Sequence, residues 1–343
     1  MPTYIFFIIL FNLLIVIFKK RLFNKIAIID HPDKKRKIHK NKPYLIGGVI
    51  IFVNIILFYF FYFFNKEAFP ANPYFFFSNY HEFAFLFSII ILFFIGLYDD
   101  KYDLSPYTKT FLFLIVFYIL IEVDDTLVIR NLNFEIFDII INLNNISFIF
   151  TLLSFLVLIN ALNMFDGINL QLTIFTLFIL MILFLKISNY YMMLIMIIPL
   201  LFFILLNFNG FAFMGNSGSF IISFLIGYIL LKNYNSYIDT RFSADQILLL
   251  LLYPVLDMLR LFFYRISKGK NPFLADRRHI HHIFLNKFTE KKTVFLIFLS
   301  YSIPNLLYFV LNFPLVYCLV LIAFFYLLIF IYLFLKNNKI INI

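Results

Sequence analysis

Residues 96–103 read Gly-Leu-Tyr-Asp-Asp-Lys-Tyr-Asp, and they stand at the end of a long apolar run. Residues 83–98 carry no charge, and the run is closed by Asp99 and Asp100, with Asp103 three positions on. Such a run fits a helix in lipid, where about 20 apolar residues cross the hydrocarbon core. Adjacent carboxylates repel each other, so their persistence at a membrane face indicates a cation site or a proton transfer. The other interpretation is a solvated helix end followed by an acidic loop.

The whole chain has the composition of an integral membrane protein. Hydrophobic residues make up 63% of the 343 residues and charged residues 13%, and the mean hydropathy is +0.96. These values are far from those of soluble globular proteins. The single cysteine, Cys318, excludes a disulfide within the chain. The net charge of +10 bears first on membrane topology, so we expect no nucleic-acid partner.

Eleven segments are apolar enough to be candidate membrane helices. They are residues 3–18, 44–64, 82–98, 109–123, 146–162, 172–187, 191–207, 219–232, 244–264, 293–311 and 314–335. The sequence therefore predicts an all-α, polytopic membrane protein with 10–11 transmembrane helices. Since no internal repeat or linker divides the chain, we expect residues 1–343 to form a single integral membrane domain. The alternation of apolar and polar residues within 124–145 predicts a small β-hairpin.

The basic residues predict the orientation of these helices. One set of alternate loops, with Arg260 at the end of a span on that side, holds 23 of the 28 Lys and Arg residues. The opposite loops hold only five. By the positive-inside rule the basic side is cytoplasmic, which places the N-terminus outside and the C-terminus in the cytoplasm. We expect the active-site loops on this face, at residues 19–43, 99–109, 163–171, 208–218 and 265–292.

A second polar motif follows an apolar run. Residues 160–169 read Asn-Ala-Leu-Asn-Met-Phe-Asp-Gly-Ile-Asn. On a helix, Asn160, Asn163 and Asp166 fall near one face. Amide and carboxylate oxygens at that spacing suit a hard cation or the imide edge of a pyrimidine. Asp-Gly is also an ordinary turn signal, which is the simpler interpretation.

Two further motifs are rich in glycine. Residues 213–219 read Phe-Met-Gly-Asn-Ser-Gly-Ser and open the eighth span. Backbone N–H groups at such a helix start favour an anion such as a phosphate, although a serine N-cap is the plainer interpretation. The first basic loop leads to the pair Gly47-Gly48, which indicates a backbone that closely approaches a ligand or another helix. The loop itself can be a topology signal or a contact with anionic lipid.

The last motif begins on the ninth span and is rich in histidine. Three of the six histidines lie within residues 279–282, read as His-Ile-His-His, directly after Arg277 and Arg278. Asp257, Arg260 and Arg265 precede them. Zinc is the first alternative, but no cysteine accompanies the histidines and the arginines disfavour a cation. Imidazoles beside arginines fit a diphosphate better. Together the motifs indicate transfer of a phosphate-bearing group onto a membrane-bound acceptor.

In their order and on one face, these motifs resemble the polyprenyl-phosphate N-acetylhexosamine-1-phosphate transferases, the glycosyltransferase 4 family, over about residues 30–285. The ending at 279–282 is most similar to the branch that starts O-antigen, teichoic-acid or common-antigen synthesis. The resemblance implies transfer of a sugar-1-phosphate from a UDP-N-acetylhexosamine, such as UDP-GlcNAc, to undecaprenyl phosphate, with release of UMP. It also implies that the reaction requires Mg²⁺, with Mn²⁺ as a possible substitute, and that the protein is located in the bacterial inner membrane. The family often forms homodimers.

The resemblance also implies roles for individual residues. Asp99 would accept the proton of the lipid phosphate or position that phosphate, and Asp100 would lie close to the metal. The implied metal ligands are Asp100, Asn163 and Asn216. The implied substrate-binding residues are His39, Gly48, Asn160, Asp166, Arg277, His279, His281 and His282.

Two positions depart from the family pattern. Asn216 stands where the family usually has an aspartate that binds the metal, and Asn169-Leu170 stand where it commonly has Asp-Gly. The loss of one charge should weaken metal binding. A catalytically impaired relative that binds lipid or nucleotide sugar therefore stays an alternative. A transporter is a further alternative, but transporters place charges near the membrane midplane and often have repeated halves.

Overall fold

A computed structural model describes most of the chain. The described residues are 2–24, 28–30, 43–64, 78–186, 190–236, 242–272 and 277–335. Of the predicted site residues, His39 lies outside these ranges.

Helices dominate the described part of the chain, because in lipid an apolar segment must satisfy its backbone hydrogen bonds internally. They are α1 (Pro2–Phe23), α2 (Gly47–Phe64), α3 (Asn79–Tyr102), α4 (Pro106–Val123), α5 (Ser147–Phe165), α6 (Gln171–Lys186), α7 (Tyr190–Asn207), α8 (Gly215–Tyr234), α9 (Ala244–Ser267), α10 (Ile280–Leu285), α11 (Glu290–Phe309) and α12 (Leu315–Leu335). Each of the eleven candidate spans coincides with one of these helices. The short helix α10 was not predicted.

Seven helices in the described residues are long and apolar enough to cross a membrane. They are α2, α3, α4, α5, α8, α9 and α11. Three shorter apolar helical stretches lie at residues 171–186, 196–207 and 315–331. The prediction of an all-α, multi-pass membrane protein is therefore confirmed. The orientation of the termini and the single-domain organisation stay predictions.

Short strands join the ends of some helices. They are β1 (Ile28–Ile29), β2 (Tyr44–Leu45), β3 (Asn131–Phe134), β4 (Ile139–Asn142) and β5 (Ala212–Phe213). Strand β2 pairs antiparallel with β1 and parallel with β5, which ties the segment before α2 to the segment before α8. Strands β3 and β4 form an antiparallel pair, so the hairpin predicted within 124–145 is confirmed.

Helix α8 lies at the centre of the bundle, buried along almost its whole length against α2, α3 and α5. A helix that is apolar on all sides is expected in such a place. Close packing at its start depends on glycine. A Cβ on Gly48 of α2 would lie 2.3 Å from Ser217 Oγ, and one on Gly96 of α3 would lie 2.3 Å from Ser217 Cα. The starts of α2 and α8 thus meet the end of α3 that carries Asp99 and Asp100.

Candidate active site

Asp100, in the last turn of α3, caps the start of α8. The Asn216 N–H donates to Asp100 Oδ1 at 2.7 Å. Ser217 donates its N–H at 3.3 Å and its hydroxyl at 3.0 Å to Oδ2. Gly215 has a φ of +73°, and a Cβ there would lie 2.8 Å from Asp100 Oδ2, so the turn requires glycine. The anion predicted at this helix start is therefore a carboxylate of the protein itself in this structure.

Asp99 has different partners from its neighbour. Its carboxylate is buried, with Lys109 Nζ 2.7 Å from Oδ2 and the Leu104 N–H donating to Oδ1 at 2.8 Å. Lys109 lies in the first turn of α4, after the turn at Ser105 that leads the chain back. Separate partners offset the repulsion between adjacent carboxylates. This role of Lys109 was not predicted, because its only signal in the sequence is an isolated cation at the start of an apolar span.

Asp166 lies just beyond the end of α5, so the prediction that it shares a helix face with the two asparagines was wrong. The helix ends at Phe165 because the Asp-Gly pair forms a turn, the simpler of the two interpretations. Burial, and then the nearby charge of Asp100, raise the pKa of Asp166 to about 8. A neighbouring cation would stabilise the ionised form of both carboxyl groups. The structure thus brings the acidic pair and the amide motif together.

The two asparagines of the amide motif lie one turn apart on α5. Asn163 Oδ1 accepts a hydrogen bond from the Ser219 hydroxyl of α8 at 2.9 Å. Asn160 Nδ2 donates to the Leu156 carbonyl of its own helix at 2.7 Å. Asn163 therefore faces the start of α8, where Asp100 and Asn216 meet.

These residues supply oxygen donors of the kind that Mg²⁺ and Mn²⁺ prefer. The donors are the carboxylates of Asp100 and Asp166, with Asn163 and Asn216 beside them. Within the described ranges no three His, Cys, Asp or Glu side chains come together as a ligand set. A cation here would therefore be held by two carboxylates and neutral amide oxygens. This donor set fits a divalent metal ion. It carries one negative charge fewer than a donor set with aspartate in place of Asn216 would.

The histidine motif is held by Asp257, which is buried on α9. His279 Nδ1 lies 2.8 Å from Asp257 Oδ2, and Arg260 Nη2 lies 2.8 Å from Oδ1. The Tyr326 hydroxyl of α12 also donates to Oδ1, at 2.9 Å. His279 is the N-cap of α10, and its ring is parallel to that of His281 with 5.5 Å between centroids. Asp257 thereby fixes the start of the helix that carries the other two histidines.

His281 connects this motif with the Asp-Gly turn. A Cβ on Gly167 would lie 1.8 Å from His281 Nε2, so only glycine permits this contact. Burial, followed by the neighbouring His282 and His279, lowers the pKa of His281 well below its usual value. A neutral imidazole offers one donor and one acceptor at pH 7. The His282 ring lies next to it, at 4.3 Å between centroids.

Not every predicted site residue joins this centre. Gly48 packs against Ser217, so a close helix contact explains it, and its role in substrate binding stays a prediction. The roles of Asn160 and of the exposed Arg277 also stay predictions. The residues that the structure brings together are Asp100, Asn163, Asp166, Asn216 and His281, with Asp99 adjoining them.

The middle of the chain also matches a known family. Residues 82–233 match the model of glycosyl transferase family 4, and this range contains the acidic pair, Asp166 and the start of α8. Over these residues the chain is similar to the family. The motif resemblance seen in the sequence is thereby confirmed.

Relatives extend the family match over most of the chain. A protein of Yersinia pestis named undecaprenyl-phosphate alpha-N-acetylglucosaminyl 1-phosphate transferase is 27% identical over 88% of this chain and 81% of its own length. A relative with the same name from Escherichia coli O157:H7 is 28% identical over 85% of this chain and 79% of its own length. One from Pasteurella multocida is 28% identical over 83% of this chain and 78% of its own.

Proposed function

We propose that this protein transfers N-acetylglucosamine-1-phosphate from UDP-GlcNAc to undecaprenyl phosphate and releases UMP. The reaction would be the first membrane step of a cell-envelope polysaccharide, at the bacterial inner membrane. The relatives carry the name of this activity. The observation that carries the proposal is that Asp100 and Asn163 both bind the first turn of α8, while His281 contacts the Asp166-Gly167 turn that follows Asn163.

The proposed reaction exchanges one phosphoanhydride bond for another. An oxygen of the lipid phosphate attacks the β-phosphorus of the UDP-sugar, and the bond from this phosphorus to the bridging oxygen breaks. UMP leaves with the bonding electrons. Asp99 would take a proton from the lipid phosphate, since Lys109 at 2.7 Å favours its ionised form. The same ammonium group attracts the incoming phosphate.

We further propose that Asp100, Asp166, Asn163 and Asn216 hold Mg²⁺, with Mn²⁺ as a substitute. The bound ion would supply charge neutralisation of the diphosphate and of the departing UMP. The N–H groups of residues 216 and 217 keep the Asp100 carboxylate in one orientation. The neutral His281 ring beside the Asp-Gly turn would donate a hydrogen bond to a diphosphate oxygen.

Asn216 favours a second candidate function. With a neutral side chain at this position, the protein could bind nucleotide sugar and lipid without turnover, because the metal would be held less tightly. The intact carboxylates at 99, 100 and 166 favour the transferase.

A direct test uses the purified protein with undecaprenyl phosphate, Mg²⁺ and a panel of UDP-sugars, with UMP as the measured product. We expect UMP with UDP-GlcNAc and its loss when the metal is removed by a chelator. Absence of UMP with every donor would contradict the transferase. Calorimetric binding of UDP-GlcNAc under the same conditions, without UMP, would favour the second candidate.

A further inference from the structure

Asn207, the last residue of α7, bridges two segments of the active site. Its side chain is buried. Its Oδ1 accepts the Leu170 N–H at 2.5 Å, and its Nδ2 donates to Asn169 Oδ1 at 3.2 Å. The same Nδ2 donates to the Ala212 carbonyl in β5 at 2.7 Å. One side chain therefore joins the turn that follows Asp166 to the strand that leads into α8.

The turn held by Asn207 has a strained backbone. Leu170 has a φ of +70°, a region that is unfavourable for residues with a Cβ. Such a conformation persists only where the surroundings impose it. Here the Leu170 N–H is bound by Asn207, and the Asn169 N–H donates to Glu290 Oε1 of α11 at 2.9 Å. Because the turn begins at Asp166, these bonds also restrain that carboxyl group.

On the other side, Ala212 lies four residues before Asn216, whose N–H orients Asp100. The two carboxylates of the proposed metal site are thus connected through Asn207. Asn207 belongs to none of the sequence motifs. Its hydrogen bonds join it to residues 5, 37 and 38 positions away in the chain.

We propose that Asn207 is a positioning residue that sets the place of Asp166 relative to Asp100. It acts through the turn of residues 166–170 and through the start of α8, and it need not touch the substrate. The inference rests on the proposed function, since it concerns the metal and nucleotide side of that site.

The kinetic test compares Asn207→Ala with Asn209→Ala in the full-length protein. Asn209 is exposed in the turn after α7, and within the described residues its side chain donates to the Leu205 carbonyl of α7, so its loss should leave the kinetics unchanged. For Asn207→Ala we expect a rise of about tenfold in the KM for UDP-GlcNAc and in the Mg²⁺ requirement, because small displacements of catalytic groups are costly. The KM for undecaprenyl phosphate should change by less than about twofold, since Asp99 and Lys109 have separate partners.

A rescue variant separates positioning from general stability. Glycine adopts a positive φ without strain, so Leu170→Gly in the Asn207→Ala background should restore the turn in part. We expect the double variant to recover at least about threefold in kcat/KM for UDP-GlcNAc, while Leu170→Gly alone stays within about twofold of the wild type. Equal losses for both substrates, or no recovery in the double variant, would overturn the inference.

Hydrogen exchange gives a readout that does not depend on turnover. Asn207→Ala should accelerate amide exchange in the peptide covering residues 166–171, and Asn209→Ala should not. Unchanged amide exchange in Asn207→Ala would overturn the inference, whether or not the protein has transferase activity. Accelerated exchange together with a wild type that releases no UMP would support the link through Asn207 and reject only the proposed reaction.

Discussion

Asp100 combines a hydrogen-bonding role with a charge, and one substitution separates the two. Asp100→Asn keeps an oxygen that can accept the N–H of Asn216, so we expect the bundle to fold. The charge next to Asp166 and the proposed metal is lost. Because preorganised charge is the main contribution in such sites, kcat for UMP release should fall about 100-fold or more.

The matched control is Asp103→Asn, in the same acidic cluster. Asp103 is exposed and has a φ of +54°, which asparagine tolerates. The activity of the Asp103→Asn variant should equal that of the wild type. Turnover by Asp100→Asn at the level of this control would remove Asp100 from the reaction.

A substitution of Asn216 is expected to increase the affinity for Mg²⁺. In Asn216→Asp a third carboxylate joins Asp100 and Asp166, and negative ligand charge strengthens binding of a hard cation. We expect the Mg²⁺ concentration for half-maximal activity to fall, as measured by UMP release across a metal titration. An unchanged titration would show that position 216 is not a metal ligand.

Individual site residues were predictable only where their scarcity in an apolar chain marked them. Asp and Glu total 18 in 343 residues, so the acidic pair and Asp166 were visible as exceptions. Lys109, which pairs with Asp99, and Asn207, which holds the turn after Asp166, were not visible, because a single lysine or asparagine at a helix end has many structural explanations. Contacts such as Asn207 with Leu170 depend on how helices pack, which no local pattern records.

At the scale of elements, a buried ion pair stabilises the C-terminal end of α8, opposite the active site. Lys232 Nζ lies 2.7 Å from Asp124 Oδ2, and Tyr228 OH donates to the same oxygen at 2.7 Å. Lys232→Met would leave the buried Asp124 without its lysine. We expect the free energy of unfolding to fall by about 3–5 kcal/mol, measured by denaturant unfolding in detergent.

The neighbouring pair of Arg130 and Asp125 provides the control, because both side chains are exposed and lie 3.3 Å apart. Arg130→Met should cost less than about 1 kcal/mol. Equal effects of the two substitutions would show that burial does not determine the strength of the Lys232 pair.

The long helices could be predicted because lipid requires apolar segments of fixed length, and all eleven candidate spans are helical. The shorter elements could not. Strands β1, β2 and β5 have two residues each, too few for any alternation to be detected. Helix α10 has six residues, and its start depends on Asp257 of α9, which lies 22 positions before His279.

At the scale of the whole molecule, the uneven distribution of Lys and Arg predicts which end of the bundle faces the cytoplasm. The single Cys318 is buried, so introduced cysteines can be labelled selectively. Asp103→Cys and Phe137→Cys both replace exposed residues, at the active-site end and in the turn of the hairpin. An impermeant maleimide should label position 137 in intact spheroplasts and position 103 only after permeabilisation. The reverse pattern would contradict the predicted orientation.

The central claim is that the protein transfers a sugar together with its phosphate. The most direct measurement uses UDP-GlcNAc labelled with ³²P in the β-phosphate, incubated with the protein, undecaprenyl phosphate and Mg²⁺. The account predicts that all label lost from UDP-GlcNAc appears in the lipid fraction, with one unlabelled UMP formed for each labelled lipid. Label that remains in water-soluble nucleotide while sugar reaches the lipid, or no transfer at all, would contradict it.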